Sequence, residues 1–167
     1  MQKKVLSEQA IYYGDVKMPE YWEIDRNKLS FDTLESKLLD SKFPFSRTWD
    51  KLNTYIIDYV RVKYNITLVN KKTWADIYKP TETTKPLLNV DPIDLRNSPD
   101  FTLLYGLKVK DCMVRIYYED NRRKGRSWDI PLVNNKFIMF PSTNVYYLTN
   151  NQISDLNFVQ TITYEYI

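Results

Sequence analysis

Lys136-Phe137-Ile138-Met139-Phe140-Pro141-Ser142-Thr143-Asn144-Val145-Tyr146-Tyr147-Leu148 is the stretch on which the fold turns. Its first five residues are bulky and largely apolar, without polar alternation, as in a strand buried on both faces. Pro141 cannot donate to a ladder and ends that strand. A short polar turn follows, and Val145 to Leu148 opens a second strand. Just upstream, Asn134-Asn135 is a tight-turn signal. Two β-prone runs, each closed by turn residues, place this region in an antiparallel sheet.

Working outward, everything from Asp100 onward reads as β. Residues 101–109 form one strand, and residues 113–118 alternate to form the next. Residues 119–126 make a charged hairpin tip containing Gly125, and residues 127–132 return beside their partner. After Asn150-Asn151-Gln152, residues 158–166 form the last strand. At least six short strands spaced by turns predict a sandwich or barrel.

The first seventy residues read differently. Ala10-Ile11-Tyr12-Tyr13 is β-prone and stops at Gly14-Asp15. Within residues 19–39, Leu29, Leu34, Leu38 and Leu39 recur at helical spacing, with Ser30 or Asp32 as caps. A stronger helix is predicted over residues 48–64, with Ser46 as N-cap. There Trp49, Leu52, Ile56, Tyr59, Val60 and Lys63 follow steps of three and four, while Asp50, Arg61 and Lys63 suit the helix dipole. Residues 66–69 read as a strand, Asn70-Lys71-Lys72 as a turn, and residues 73–78 as a further strand ending before Pro80. Residues 81–99, with Pro86, Pro92 and Pro99, read as a long ordered loop.

Composition narrows the chemistry. The 167 residues fit one domain, 1–167, with a helical N-terminal layer over 1–70 and a β domain over 71–167. Histidine is absent, so the commonest metal ligand and general base is missing. Three glycines cannot build a Gly-rich phosphate loop. A single cysteine, Cys112, allows no internal disulfide and no thiolate zinc site, and it reads as a structural thiol. No Ser-His-Asp triad and no Ser-x-x-Lys motif is available. The net charge of +3 is too small to imply nucleic acid. The N-terminal residues lack a signal-peptide apolar core, and no run reaches membrane-span length.

Phe140-Pro141-Ser142 followed by Tyr146, the closing Thr161-Ile162-Thr163-Tyr164 and the Trp-containing segment 73–78 resemble the 2-oxoglutarate and iron(II)-dependent oxygenases, particularly short forms encoded by tailed bacteriophages. The resemblance covers about the C-terminal two thirds of the chain. It implies an α+β fold with N-terminal helices packed on a C-terminal double-stranded β-helix, a jelly-roll variant. In that family the Phe-Pro-Ser strand leads to the distal iron-binding histidine, and here Tyr146 stands at that position. An arginine for the oxoglutarate carboxylate precedes the hydroxyl alternation in the family, yet residues 157–160 hold none. The proximal His-x-Asp finds its only echo in Asn89-Val90-Asp91. The resemblance therefore implies a degenerate member with no catalytic residues, no metal and no cofactor.

Arg122, Arg123, Lys124 and Arg126 at the hairpin tip suit an anionic partner, or phosphates helped by the flanking aromatics; the alternative is a solvated turn that guards a sheet edge. Salt-sensitive binding of DNA or RNA, lost when the arginines become Ala, would mark a nucleic-acid module. Asp91, Asp94 and Asp100 read as turn-shaping residues in preference to a calcium or magnesium site. Tyr105, Tyr117, Trp128 and Tyr146 are candidates for a remnant pocket for a sugar or peptide, against their reading as core.

The expectation is a non-catalytic oxygenase-fold protein of a tailed phage, a structural or assembly component of the virion neck or tail. It would act through contacts with other phage proteins, in the virion or the host cytoplasm, in a symmetric assembly and without a membrane. The rivals are an active or divergent oxygenase and a nucleic-acid or glycan-binding module.

Overall fold

A computed structural model describes residues 1–5, 8–17, 26–38, 47–119 and 125–167. Its elements are β1 (Tyr12–Asp15), α1 (Arg26–Leu38), α2 (Arg47–Tyr64), β2 (Leu68–Tyr78), a 3₁₀ turn (Leu95–Asn97), β3 (Phe101–Lys108), β4 (Cys112–Tyr118), β5 (Arg126–Leu132), β6 (Lys136–Pro141), β7 (Tyr146–Asn150) and β8 (Asn157–Tyr166). They form a five-stranded sheet in the order β1-β6-β3-β8-β2 and a three-stranded sheet in the order β5-β4-β7. The pairings are antiparallel throughout. Two such sheets, with helices against the larger, make the expected double-stranded β-helix.

β3, β6 and β8 are buried along most of their length because both faces of the five-stranded sheet are covered. On one face Leu103, Tyr105, Leu107, Phe137, Met139, Phe158, Ile162 and Tyr164 pack beneath the helices, against Leu52, Ile56 and Val60 of α2. On the other, Leu104, Ile138, Phe140 and Val159 meet Val114, Ile116, Ile130, Leu132, Tyr146 and Leu148 of the smaller sheet. The Tyr164 hydroxyl donates to Asn53 of α2 at 2.8 Å, so the helix layer is fixed to the sheet by polarity as well as by area.

One reading of the sequence changes. Asn70-Lys71-Lys72 is no turn: β2 is one strand with a bulge between Asn70 and Lys72, and its pairing with β8 resumes after the shift. The β-prone Ala10-Ile11-Tyr12-Tyr13 leads into β1, which lines the outer edge of β6. The proposed cap Ser46 lies outside the described residues, as do residues 19–25 and Leu39 of the first helical segment.

Gly106 is required where it stands. A Cβ there would lie 2.2 Å from the Val133 carbonyl oxygen, because the turn before β6 folds back to donate from Asn135 N to Gly106 O at 2.9 Å. Asn135 holds that turn at a φ of 62°, a left-handed value that asparagine tolerates. No helix among the described residues is long and apolar enough to cross a membrane.

Candidate functional site

One end of the barrel is defined by the register of its central strands. Thr102 pairs with Phe140 and Thr163, so Thr102, Ser142 and Thr163 gather at the mouth between the sheets. Residues 82–87 run along β7 as a partial extra strand. Leu87 and Tyr146 exchange backbone bonds of 2.9 and 3.0 Å, and Thr84 N donates to Leu148 O at 3.0 Å. Two residues beyond Leu87, Asn89 turns back into the mouth.

There the Asn89 side-chain amide donates to the Tyr146 hydroxyl at 3.3 Å and to Thr102 Oγ1 at 3.1 Å. Thr102 Oγ1 in turn shares a 2.8 Å hydrogen bond with Ser142 Oγ. The Tyr146 ring packs against Phe140 with centroids 5.0 Å apart. Thus the two positions aligned from sequence with imidazoles touch each other, as an amide and a phenol. Burial pushes the Tyr146 phenol up to about 12; the Asn89 bond pulls it down and the Asp76 carboxylate raises it. At neutral pH it is a neutral hydroxyl.

Asp91, the would-be carboxylate ligand, is engaged in its own turn. Its Oδ1 accepts from Ile93 N at 2.9 Å, and its backbone N donates to Ser98 Oγ at 2.8 Å. Asp94 accepts from Asn97 Nδ2, and Asp100 Oδ2 accepts from Tyr166 N. All three aspartates thus fix the 81–99 loop and its junctions, the turn-shaping role read from the sequence.

Sequence reasoning missed Asp76. After the β2 bulge, Trp74, Asp76 and Tyr78 share the barrel-facing side, with Tyr78 in the inter-sheet core. Asp76 accepts from Trp74 Nε1 at 3.0 Å and from Lys37 Nζ at 3.1 Å. Burial, then the Asp76 charge, raises the Tyr78 phenol as well. Trp74, Asn89, Lys72 and Thr163 line a cleft of about 350 Å³ beside this cluster.

Of the four aromatics named as pocket candidates, two face the barrel. Tyr146 does so as described, and Trp128, opposite Ile116, faces inward near the mouth while remaining partly exposed. Tyr105 points the other way, fully buried under the helices, with its hydroxyl donating to Asn135 Oδ1 at 2.7 Å. Tyr117 lies on the outer face of the small sheet, 5.4 Å from Tyr147. Arg126 is exposed at the start of β5, and Arg122, Arg123 and Lys124 lie outside the described residues. Cys112 is buried, and burial pushes its thiol up to about 12.

Iron(II) of the oxygenase kind needs two imidazoles and a carboxylate leaving open positions. An amide, a neutral phenol and two hydroxyls that already bond one another do not fit it. No group of three or more His, Cys, Asp or Glu is arranged to hold a metal among the described residues. An oxoglutarate carboxylate would need a cation on the barrel face of β8. There Val159, Thr161 and Thr163 alternate with the helix-facing Phe158, Ile162 and Tyr164, and Val159 is closed into the apolar core.

No family model matches the sequence, and no curated protein is similar to it in sequence. The fold does have relatives. A Pseudomonas putida prolyl-4-hydroxylase is similar with a TM-score of 0.65 and 12% identity, over 94% of this chain and 88% of that one. A viral collagen prolyl hydroxylase from Paramecium Bursaria Chlorella virus-1 reaches 0.64 with 12% identity, over 94% and 96%. The non-heme alpha-ketoglutarate-dependent epimerase SnoN of nogalamycin biosynthesis reaches 0.64 with 10% identity, over 93% and 77%. The chain therefore carries the double-stranded β-helix fold of the 2-oxoglutarate/iron(II) oxygenases.

Proposed function

We propose that this protein is a non-catalytic bearer of the oxygenase fold that acts by binding. The observation that carries this reading is the Asn89–Tyr146 contact. Where the fold's chemistry calls for two imidazoles converging on a metal, two neutral groups converge on each other, backed by Thr102 and Ser142. The aspartate that would complete the set is held in its own turn by Ile93 N. Val159 in place of a barrel-facing cation supports the same conclusion for oxoglutarate.

The test is metal content together with turnover. Purified protein loaded anaerobically with iron(II), desalted and supplied with 2-oxoglutarate and oxygen should retain substoichiometric iron and form no succinate above a protein-free control. Stoichiometric iron, or succinate formed in proportion to protein, would overturn the proposal in favour of a divergent oxygenase.

The biological setting we propose is a structural or assembly role in a tailed-phage virion, at the neck or tail, through contacts with other phage proteins. Its support is the resemblance of Phe140-Pro141-Ser142 and the closing Thr161-Ile162-Thr163-Tyr164 to the phage-encoded forms. Mass spectrometry of purified particles checks it: recovery at fixed copy number supports the role, and recovery only from the soluble lysate opposes it.

A further inference from the structure

The barrel mouth has a second cleft, on the seam between the edge strands β1 and β5. Its volume is about 360 Å³, within the range of roughly 300–1,000 Å³ usual for small-molecule sites. Gln9, Ala10, Ile11, Tyr118, Trp128 and Asn144 line it. Among the described residues the lining carries no formal charge, in contrast to the cleft beside Asn89, which has Lys71, Lys72 and Asp91 on its walls.

The aromatic wall is held in place before any ligand arrives. Tyr13 meets Trp128 edge-on, with centroids 5.8 Å apart and planes at 62°. Lys136 Nζ sits 5.3 Å over the Tyr13 ring. Ile11 packs into the inter-sheet core beneath the cleft. Asn144 is itself buried and lines the cleft, and its backbone N donates to Pro141 O at 3.0 Å, which holds its main chain in the turn. Gln9 supplies a second amide.

We infer that this cleft binds a neutral sugar residue. A pyranose ring has one C–H-rich face that suits the negative face of an indole. Its hydroxyls each donate and accept, as the two amides do. None of the described lining side chains offers a charged ligand a counter-charge, and a desolvated charge without a partner is costly. The other occupant to weigh is an extended peptide added to the free edge of β5. Pro131 interrupts that edge by removing a donor from the strand.

The inference is independent of whether the barrel holds iron. Its test is titration of the ¹⁵N-labelled full chain, followed at the Trp128 indole and the Asn144 amide. The probes are glucose, galactose, mannose, N-acetylglucosamine and maltose, with N-acetylneuraminic acid and hexaproline as contrasts. At least one neutral sugar should give saturable shifts at both residues. Trp128→Ala and Asn144→Ala should each weaken that binding at least tenfold, and Tyr117→Ala on the outer face should leave it unchanged. Circular dichroism of each variant confirms folding. The inference is overturned if no neutral sugar shifts either residue, if binding survives both cleft variants, or if hexaproline alone saturates the site.

Discussion

Asn89 Nδ2 and the Tyr146 hydroxyl lie 3.3 Å apart although 57 residues separate them in the chain. The contact exists because residues 82–87 pair along β7 and so deliver Asn89 to the start of the strand on which Tyr146 sits. Its strength should be measurable by a double-mutant cycle. Tyr146→Phe removes one hydrogen bond and should cost about 0.5–1.5 kcal/mol. Asn89→Ala removes the bonds to both Tyr146 and Thr102 Oγ1, the latter keeping Ser142, and should cost roughly 1–3 kcal/mol. The two together should cost less than their sum, since either change alone already removes the bond between them. Strict additivity in urea unfolding would show that the amide and the phenol do not interact.

How far this cluster was legible in the sequence depends on which signal each residue carried. Asn89 and Tyr146 could be placed because Phe140-Pro141-Ser142 sets the spacing to Tyr146, and Asn89-Val90-Asp91 keeps an aspartate two residues on. Tyr117 was legible in principle: Val114 and Ile116 alternate inward, which sends Arg115 and Tyr117 to the outer face. Tyr105 carried no such signal. Its strand is apolar on both sides, so alternation does not reveal which face is the barrel. Asp76 stayed hidden behind the β2 bulge. With Asn70-Lys71-Lys72 read as a turn, the parity of Trp74, Asp76 and Tyr78 relative to the rest of the sheet could not be set. A polar triplet inside a long strand looks like a chain reversal until its pairing with β8 is seen.

Alkaline pH should destabilise the fold steeply. Tyr146, Tyr78 and Tyr164 are each raised above the ordinary phenol value of 10.0, chiefly by burial, and Cys112 above the ordinary thiol value of 9.0. Above those values the unfolded chain releases protons that the folded chain retains, so stability is complete below about pH 9 and falls as pH rises. For Tyr146, a shift to about 12 corresponds to roughly 2–3 kcal/mol lost between pH 10 and 12. Urea midpoints across this range, read beside tyrosinate absorbance, check it. A flat profile to pH 12 would contradict the burial of these phenols.

Gly106→Ala should be among the most damaging small substitutions. The added methyl meets the Val133 carbonyl oxygen at 2.2 Å and Val109 Cγ2 at 2.8 Å, and the nearer atom is backbone. Relief requires moving the turn whose Asn135 N bonds Gly106 O. A loss of at least about 1–3 kcal/mol is expected. Gly14→Ala provides the contrast, because its nearest neighbour is a Phe137 ring carbon at 3.4 Å, an ordinary contact. Comparable melting temperatures for the two variants would refute the close approach at Gly106.

Gln160 poses the opposite case, a native residue whose removal should help. It sits on β8 between Ala75 and Tyr105 of the flanking strands, fully buried. By alternation with Phe158 and Ile162, it faces the helix layer. Neither its amide nitrogen nor its oxygen has a hydrogen-bonding partner among the described residues. An orphaned buried polar group costs on the order of 1–3 kcal/mol. Methionine has a similar shape and flexibility without the polar atoms, so Gln160→Met should stabilise the protein by about 1–2 kcal/mol. The gain should appear as a higher urea midpoint at unchanged slope, since the surface exposed on unfolding is the same. Gln160→Glu should do the reverse, because a carboxylate there must take up a proton or be buried unpaired. A loss of stability in Gln160→Met would mean that the native amide is satisfied, by an internal water or by a group on the helices above it.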